Sequence, residues 1–193
     1  SRMPRYTIKR HVHVFAAWAA SRAASVKGCR FSVKQGRDML EKAGLKYFLD
    51  HPDRLPSAAR FDKKHREWRT CIMAKLKNRK NKKGGRLRGT HGIAAKLINM
   101  YLKVGLVCTG KHKDTRVRAL HPPIDGPLME ALVKEDVGGL GSEWQKCKKS
   151  GWSNFDSEQY EDAIALVRRT VRAVFRREAP LWKIEKWWPG NAS

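Results

Sequence analysis

Along most of the chain apolar positions recur three and four residues apart, and alternating β-branched runs are scarce, so the pattern predicts helices. Val12 to Val26 is rich in Ala, and Phe15, Trp18 and Ala19 are spaced for one packing stripe. Ser32 reads as the cap of a helix through Leu40 that Gly44 stops. Ser57 opens a longer helix with Phe61, His65, Trp68 and Ile72 on one face. Thr90 precedes a helix whose apolar face is Ile93, Leu97, Met100, Tyr101 and Val104. Pro122-Pro123 breaks the chain, after which Asp125 supplies an N-cap and Pro127 sits in the first turn, where its missing N–H costs nothing. Gly138, Gly139 and Gly141 predict a loop. Asp156 or Ser157 then caps a helix to about Arg177, with Tyr160, Ile164, Val167, Val171 and Val174 inward. Pro180 starts a last short helix containing Trp182, Ile184, Trp187 and Trp188. Trp18, Trp68, Tyr101 and Tyr160 fall on helical faces and are expected in the core. With no internal repeat and no obvious boundary, the expectation is a single compact all-α domain over residues 1–193, Ser1-Arg2 ahead of Met3 reading as a cloning remnant.

Composition agrees with a packed domain. The chain is 41% hydrophobic with 7 Trp, enough to bury a core at 193 residues. No apolar run is read as approaching the ~20 residues of a membrane-spanning helix, and the N-terminus lacks a signal-peptide apolar region. The four widely separated cysteines, Cys29, Cys71, Cys108 and Cys147, suggest reduced thiols, so a cytoplasmic monomer with no membrane partner is expected.

The charge changes the picture. Forty-two Lys and Arg against 18 Asp and Glu leave +24, which points to a polyanion, most simply DNA. The excess is clustered. Lys75 to Arg88 holds eight basic residues and no acid, including Lys80, Lys82, Lys83, Arg86 and Arg88, and contains Gly84-Gly85. A second cluster is Lys111, Lys113, Arg116 and Arg118. Two basic loops bracketing one helix predict a clamp on the phosphates of a duplex.

Two segments between and beyond those loops carry the candidate chemistry: Thr90-His91-Gly92-Ile93-Ala94-Ala95-Lys96, and His121-Pro122-Pro123-Ile124-Asp125-Gly126-Pro127-Leu128. The pair resembles the catalytic core of the helix-hairpin-helix DNA glycosylases over about residues 90–135. There a glycine-rich turn leads into a helix bearing a catalytic Lys, and a later loop delivers a catalytic Asp at the start of the next helix. On that resemblance Gly92 is the turn glycine, Lys96 the nucleophile and Asp125 the catalytic carboxylate. The family's second turn glycine is Ala94 here, Gly126-Pro127 stands where the family has Thr-His, and a Lys/Arg/Gly run replaces the first hairpin helix. The resemblance implies a divergent member that flips a modified or damaged base from duplex DNA and cuts its glycosidic bond without a cofactor. Attack on the modified bases of phage DNA, in antiviral defence, is one setting.

The residue types suit that reaction. Breaking a glycosidic bond develops positive charge on the sugar, which a nearby carboxylate stabilises. A lysine that attacks C1′ must first lose its proton, and a Schiff base formed that way would permit strand nicking. Lys103, seven residues past Lys96, is a second nucleophile candidate or a phosphate contact. A flipped base needs a stacking wall and a wedge for the gap, for which Trp144, Trp152 and Phe155 are candidates, with His91 beside the turn glycine. Two alternatives remain open: a non-catalytic helical nucleic-acid-binding protein, in which Asp125 is only a cap, and a metal-dependent nuclease using Asp53, Asp62 and Lys64. The latter pattern belongs on adjacent strands, and Asp62-Lys63-Lys64 lies in a helical stretch. Cys108, His112 and His121 lack the closely grouped ligands of a zinc site, so no metal is assigned.

Overall fold

The computed structural model describes residues 5–78 and 85–191, and every regular element among them is helical. An isolated β-bridge joins Val26 and Cys29. Helix α1 (Ile8–Ala24) starts at Thr7, whose hydroxyl accepts from the Arg10 N–H. Its inner face is Ala16, Ala17, Ala20 and Ala24, all fully buried. These small side chains let α1 lie close along α5 (His91–Leu102), its main packing partner. Phe15 and Trp18 therefore do not form the inner stripe that their spacing predicts. They are 53% and 45% exposed and stack on each other on the outer face, because a bulky ring at the contact would hold the helices apart.

Helix α2 (Val33–Lys42) begins in a full capping box of Ser32 and Gln35 and is followed by the short α3 (Lys46–Asp50). Helix α4 (Ala58–Lys77) buries Phe61, His65, Trp68 and Ile72, as their spacing predicts. Thr90 caps α5, whose winding widens to π-type over Lys103–Lys111 until Gly110, at φ 89°, turns the chain. From His91 to Lys111 this continuous helix spans about 30 Å. It is long and apolar enough to cross a membrane, contrary to the expectation that no such run exists; 67% of its apolar window is buried within the protein.

The second half comprises α6 (Gly126–Lys134), α7 (Gly141–Ser150) and α8 (Ser157–Val174), closed by a 3₁₀ segment, Leu181–Trp187. The glycine-rich loop expected around 138–141 is shorter than its composition suggests: a 3₁₀ turn, Val137–Gly139, hands directly to α7 at Gly141. Asp156 caps α8, which ends at Val174, and that residue is 41% exposed rather than inward. Beyond it Phe175 is already extended, so the stripe loses its helical register.

The apolar core has two lobes. One gathers α1 to α4 with Ile93, Ala94, Leu97 and Ile98 of α5. The other gathers α6, α7, α8 and Ile184, and takes Ala95 from α5. Helix α5 is thus the seam of the molecule, and buried on nearly all sides. A polar chain runs through the same seam. Arg69 Nη1 donates to His65 Nδ1 (2.8 Å), His65 Nε2 to Asn99 Oδ1 (2.7 Å), and Asn99 Nδ2 to the Tyr160 hydroxyl (2.9 Å). Tyr160 donates on to His121 Nδ1 (2.9 Å) and His121 Nε2 to Asp62 (2.9 Å), which Arg168 grips with both nitrogens. Arg69 can only donate, so His65 accepts at Nδ1 and is neutral, and burial lowers the pKa of both imidazoles.

Candidate active site

Lys96 lies on the second turn of α5 at the seam and is 6% exposed. Burying an ammonium ion demands a partner. Asp125 provides it: Lys96 Nζ donates to Asp125 Oδ2 at 2.8 Å, and the carboxylate is 19% exposed. Asp125 Oδ1 meanwhile accepts the Leu128 N–H at 2.9 Å and caps α6, with Pro127 in the first turn. The loop that delivers Asp125 is tied to the helix that carries Lys96. Asn99, one turn beyond Lys96, donates through Nδ2 to the Pro122 carbonyl at 3.2 Å. Over the pair stands Trp152, with Lys96 Nζ 5.4 Å from its ring centroid.

Two turns on, the arrangement repeats. Lys103 Nζ donates to Glu185 Oε1 at 2.5 Å and lies 5.8 Å from the Trp188 ring centroid. Burial pushes the Glu185 carboxyl up, opposed by Lys103 and by Lys96, while the charge of Asp125 adds to the rise. The two lysines and two carboxylates therefore form one electrostatic group. A cavity of about 800 Å³ adjoins it, lined in part by Gly126 and Pro127, which follow Asp125 in the chain, and by Trp188.

Neither a protein-family model, nor a curated protein, nor a solved structure matches the chain. The site has to be read from its own geometry.

Among the aromatic candidates only Trp152 stands near the lysine. Trp144 is wholly buried and donates through Nε1 to Thr170 at 2.9 Å, and Phe155 is 2% exposed. Both are core side chains of the second lobe and cannot serve as wedge or stacking wall; α7 carries Trp144 inward where a loop was expected, and Phe155 follows the 3₁₀ turn Trp152–Asn154. His91 accepts the Arg69 Nε–H through Nδ1 at 3.1 Å, and burial together with the Arg69 charge lowers its pKa. It is a partner of Arg69 rather than a group aimed at a base. Gly92 is not a phosphate donor either, because its N–H donates to the Phe155 carbonyl at 3.0 Å. A Cβ on Gly92 would fall 1.8 Å from the Trp152 carbonyl oxygen, so the glycine permits the close approach that brings Trp152 to Lys96.

Of the basic residues expected on DNA, Lys80, Lys82 and Lys83 lie outside the described residues. Arg86, Arg88 and Lys113 are exposed. Lys111 and Arg116 turn inward, donating to the Leu49 and Leu55 carbonyls at 2.8 and 3.1 Å, and so brace the loop after α3 instead of presenting their charge freely. The nuclease set is dispersed: Asp62 is held by His121 and Arg168, Asp53 pairs with Arg54, and Lys64 with Glu67. Among the described residues no three His, Cys, Asp or Glu are grouped to hold a metal ion, and none of the four cysteines is in a disulfide.

Sequence reasoning missed Glu185 and Asn99. Nothing in the sequence pairs Lys103 with a residue 82 positions away. Asn99 did carry a signal: a lone amide in an otherwise apolar helix marks a buried hydrogen-bonding duty.

Proposed function

We propose that the protein is a DNA glycosylase that excises a modified or damaged base, with Lys96 as nucleophile and Asp125 as its proton acceptor. The observation that carries this reading is the Lys96–Asp125 pair, a 2.8 Å contact between a buried ammonium and a carboxylate at the seam of two lobes, beneath an aromatic ring. The reaction is balanced within the pair. Lys96 passes a proton to Asp125, and its freed lone pair forms the N–C1′ bond as the bond from C1′ to the base breaks. The departing base leaves with those electrons and takes the proton from Asp125. The regenerated carboxylate then takes a proton from the new secondary ammonium and passes it to the ring oxygen O4′ as the nitrogen lone pair expels that oxygen, the C1′–O4′ bond breaks and the ring opens to the protonated Schiff base. Trp152, beside Lys96, would stack on an extruded base, and Lys103 with Glu185 supplies a second charged pair two turns away. The exposed Arg86, Arg88 and Lys113 would contact phosphates.

The test is mass spectrometry of bases liberated from a panel of normal, damaged and phage-modified duplexes. Release by the native chain should fall ~100-fold or more in Asp125→Asn, with binding retained. Asparagine keeps the α6 cap but removes the charge that pairs with Lys96, so release and binding are normalised to the folded fraction of the variant. A second reading, a non-catalytic nucleic-acid-binding protein, is favoured by one feature: both oxygens of Asp125 have partners within the fold. Binding without base release from any duplex in the panel would decide for it.

A further inference from the structure

A second cationic feature lies at the far end of the α5 helix and belongs to neither lysine pair. A cavity of about 850 Å³ opens between the 112–118 loop and the segment that follows α8. Its walls carry Lys113, Arg118, Arg176, Arg177 and Lys183 against a single carboxylate, Glu178. Arg118 donates to the Glu178 carbonyl and so joins the two segments. Arg176, Arg177 and Lys113 are exposed and unburdened by any carboxylate pair among the described contacts. Five cations kept this close repel one another, a cost that a bound anion removes.

The cavity is more than a charged patch. Trp182 lines it, with His112 edge-on to the ring at 6.2 Å, and Lys183 Nζ lies 5.2 Å from the Phe175 centroid. Trp182 Nε1 is buried with no acceptor among the described residues, so no hydrogen bond at the indole locks the ring in place. A concave site of this size with an aromatic plane beside phosphate-binding guanidinium groups has the chemistry for a phosphate and an attached base.

We infer that this cavity binds a nucleotide unit, with Arg176, Arg177, Arg118 and Lys183 on the phosphate and the base stacked on Trp182. A single-stranded stretch of nucleic acid and a free nucleotide both present such a unit. The strand is the better fit, because the same 3₁₀ segment carries Trp182 at this cavity and, one turn or about 6 Å of rise later, Glu185 against Lys103. A strand leaving the lysine site would meet the cavity next. The inference does not rest on base excision, and a protein that only binds nucleic acid would use the cavity in the same way.

The experiment titrates the full chain with a short oligothymidylate, with dTMP, with dTTP and with inorganic phosphate, following tryptophan fluorescence and affinity against salt. The expected result is quenching by the oligonucleotide and the mononucleotides, lost in Trp182→Phe, with the oligonucleotide bound most tightly. The triple charge reversal Arg176→Glu, Arg177→Glu, Lys183→Glu should weaken oligonucleotide binding about tenfold or more and make its salt slope shallower by about 2. Tighter binding of dTTP than of the oligonucleotide would assign the site to a free nucleotide and overturn the strand. Quench-free binding of phosphate as tight as that of dTMP would overturn the nucleotide altogether. So would an equal loss of affinity in a control triple reversal of the exposed Lys27, Lys63 and Lys149. A base-release assay on the same variants reports separately on the Lys96 site.

Discussion

Asp125 does two things with its two oxygens, capping α6 with one and holding Lys96 with the other. That division explains why its sequence context announces a cap so clearly while its partner stays hidden: the cap is local, three residues away, and the ion pair spans 29. Gly92 was legible for the same reason in reverse. A glycine at the start of a helix stands out, but its purpose, contact with the Trp152 carbonyl, depends on a turn some 60 residues later. Substituting Gly92→Ala forces that turn away. The expected cost is ~1–3 kcal/mol in a denaturant titration, together with a loss of the contact between Trp152 and Lys96. A variant as stable as the native chain would show that the backbones yield without strain. Burial of Trp144 was illegible because a glycine-rich segment reads as a loop, and only the docking of α7 against α6 and α8 turns that ring inward; Phe155, after the 3₁₀ turn Trp152–Asn154, is buried in the same lobe.

At the scale of elements, α5 is the axis on which both lobes and both lysine pairs are arranged. Its capping residue, its start and its inward apolar residues could be read from the sequence, since N-caps and helical spacing are local signals. What could not be read is that it is covered on almost every side, because that follows from α1 presenting alanines and from the second lobe closing over Ala95. Asn99 is the element's fastening. It joins His65, Tyr160 and the Pro122 carbonyl, and so ties the Lys96 helix to the Asp125 loop. Asn99→Leu strands a buried imidazole N–H and a buried carbonyl, and should destabilise the chain by ~2–4 kcal/mol in denaturant titration. If the fastening matters to the site, any base release should fall further in that variant than its folded fraction does. A fall no larger than the folded fraction would reduce Asn99 to a core residue.

Across the whole molecule, the buried histidines make stability depend on pH. Burial lowers the pKa of His13, of His65 and of His121, with neighbouring cations adding to the effect and Glu41, Asn99 and Asp62 opposing it. The unfolded chain therefore binds more protons than the folded one below the ordinary histidine value of ~6.5. Stability is intact above that value and declines as pH falls through the window beneath it. The melting temperature should drop by on the order of 5 °C or more between about pH 7.5 and 5.5, and a flat profile would mean that the histidines titrate normally. The net charge of +24 was legible at once, yet its distribution was only half so. Lys111 and Arg116 serve the scaffold, whereas Arg176 and Arg177, far off in sequence, join Lys113 and Arg118 around one cavity. The claim at the centre of this account is that Lys96, paired with Asp125, attacks the sugar. Its most direct test is reduction with borohydride during reaction with the duplexes that lose a base, followed by peptide mapping of the protein–DNA adduct. One adduct is expected, at Lys96, absent from Lys96→Gln and sharply reduced in Asp125→Asn. Base release with no adduct, or an adduct mapped to Lys103 or another lysine, would contradict it.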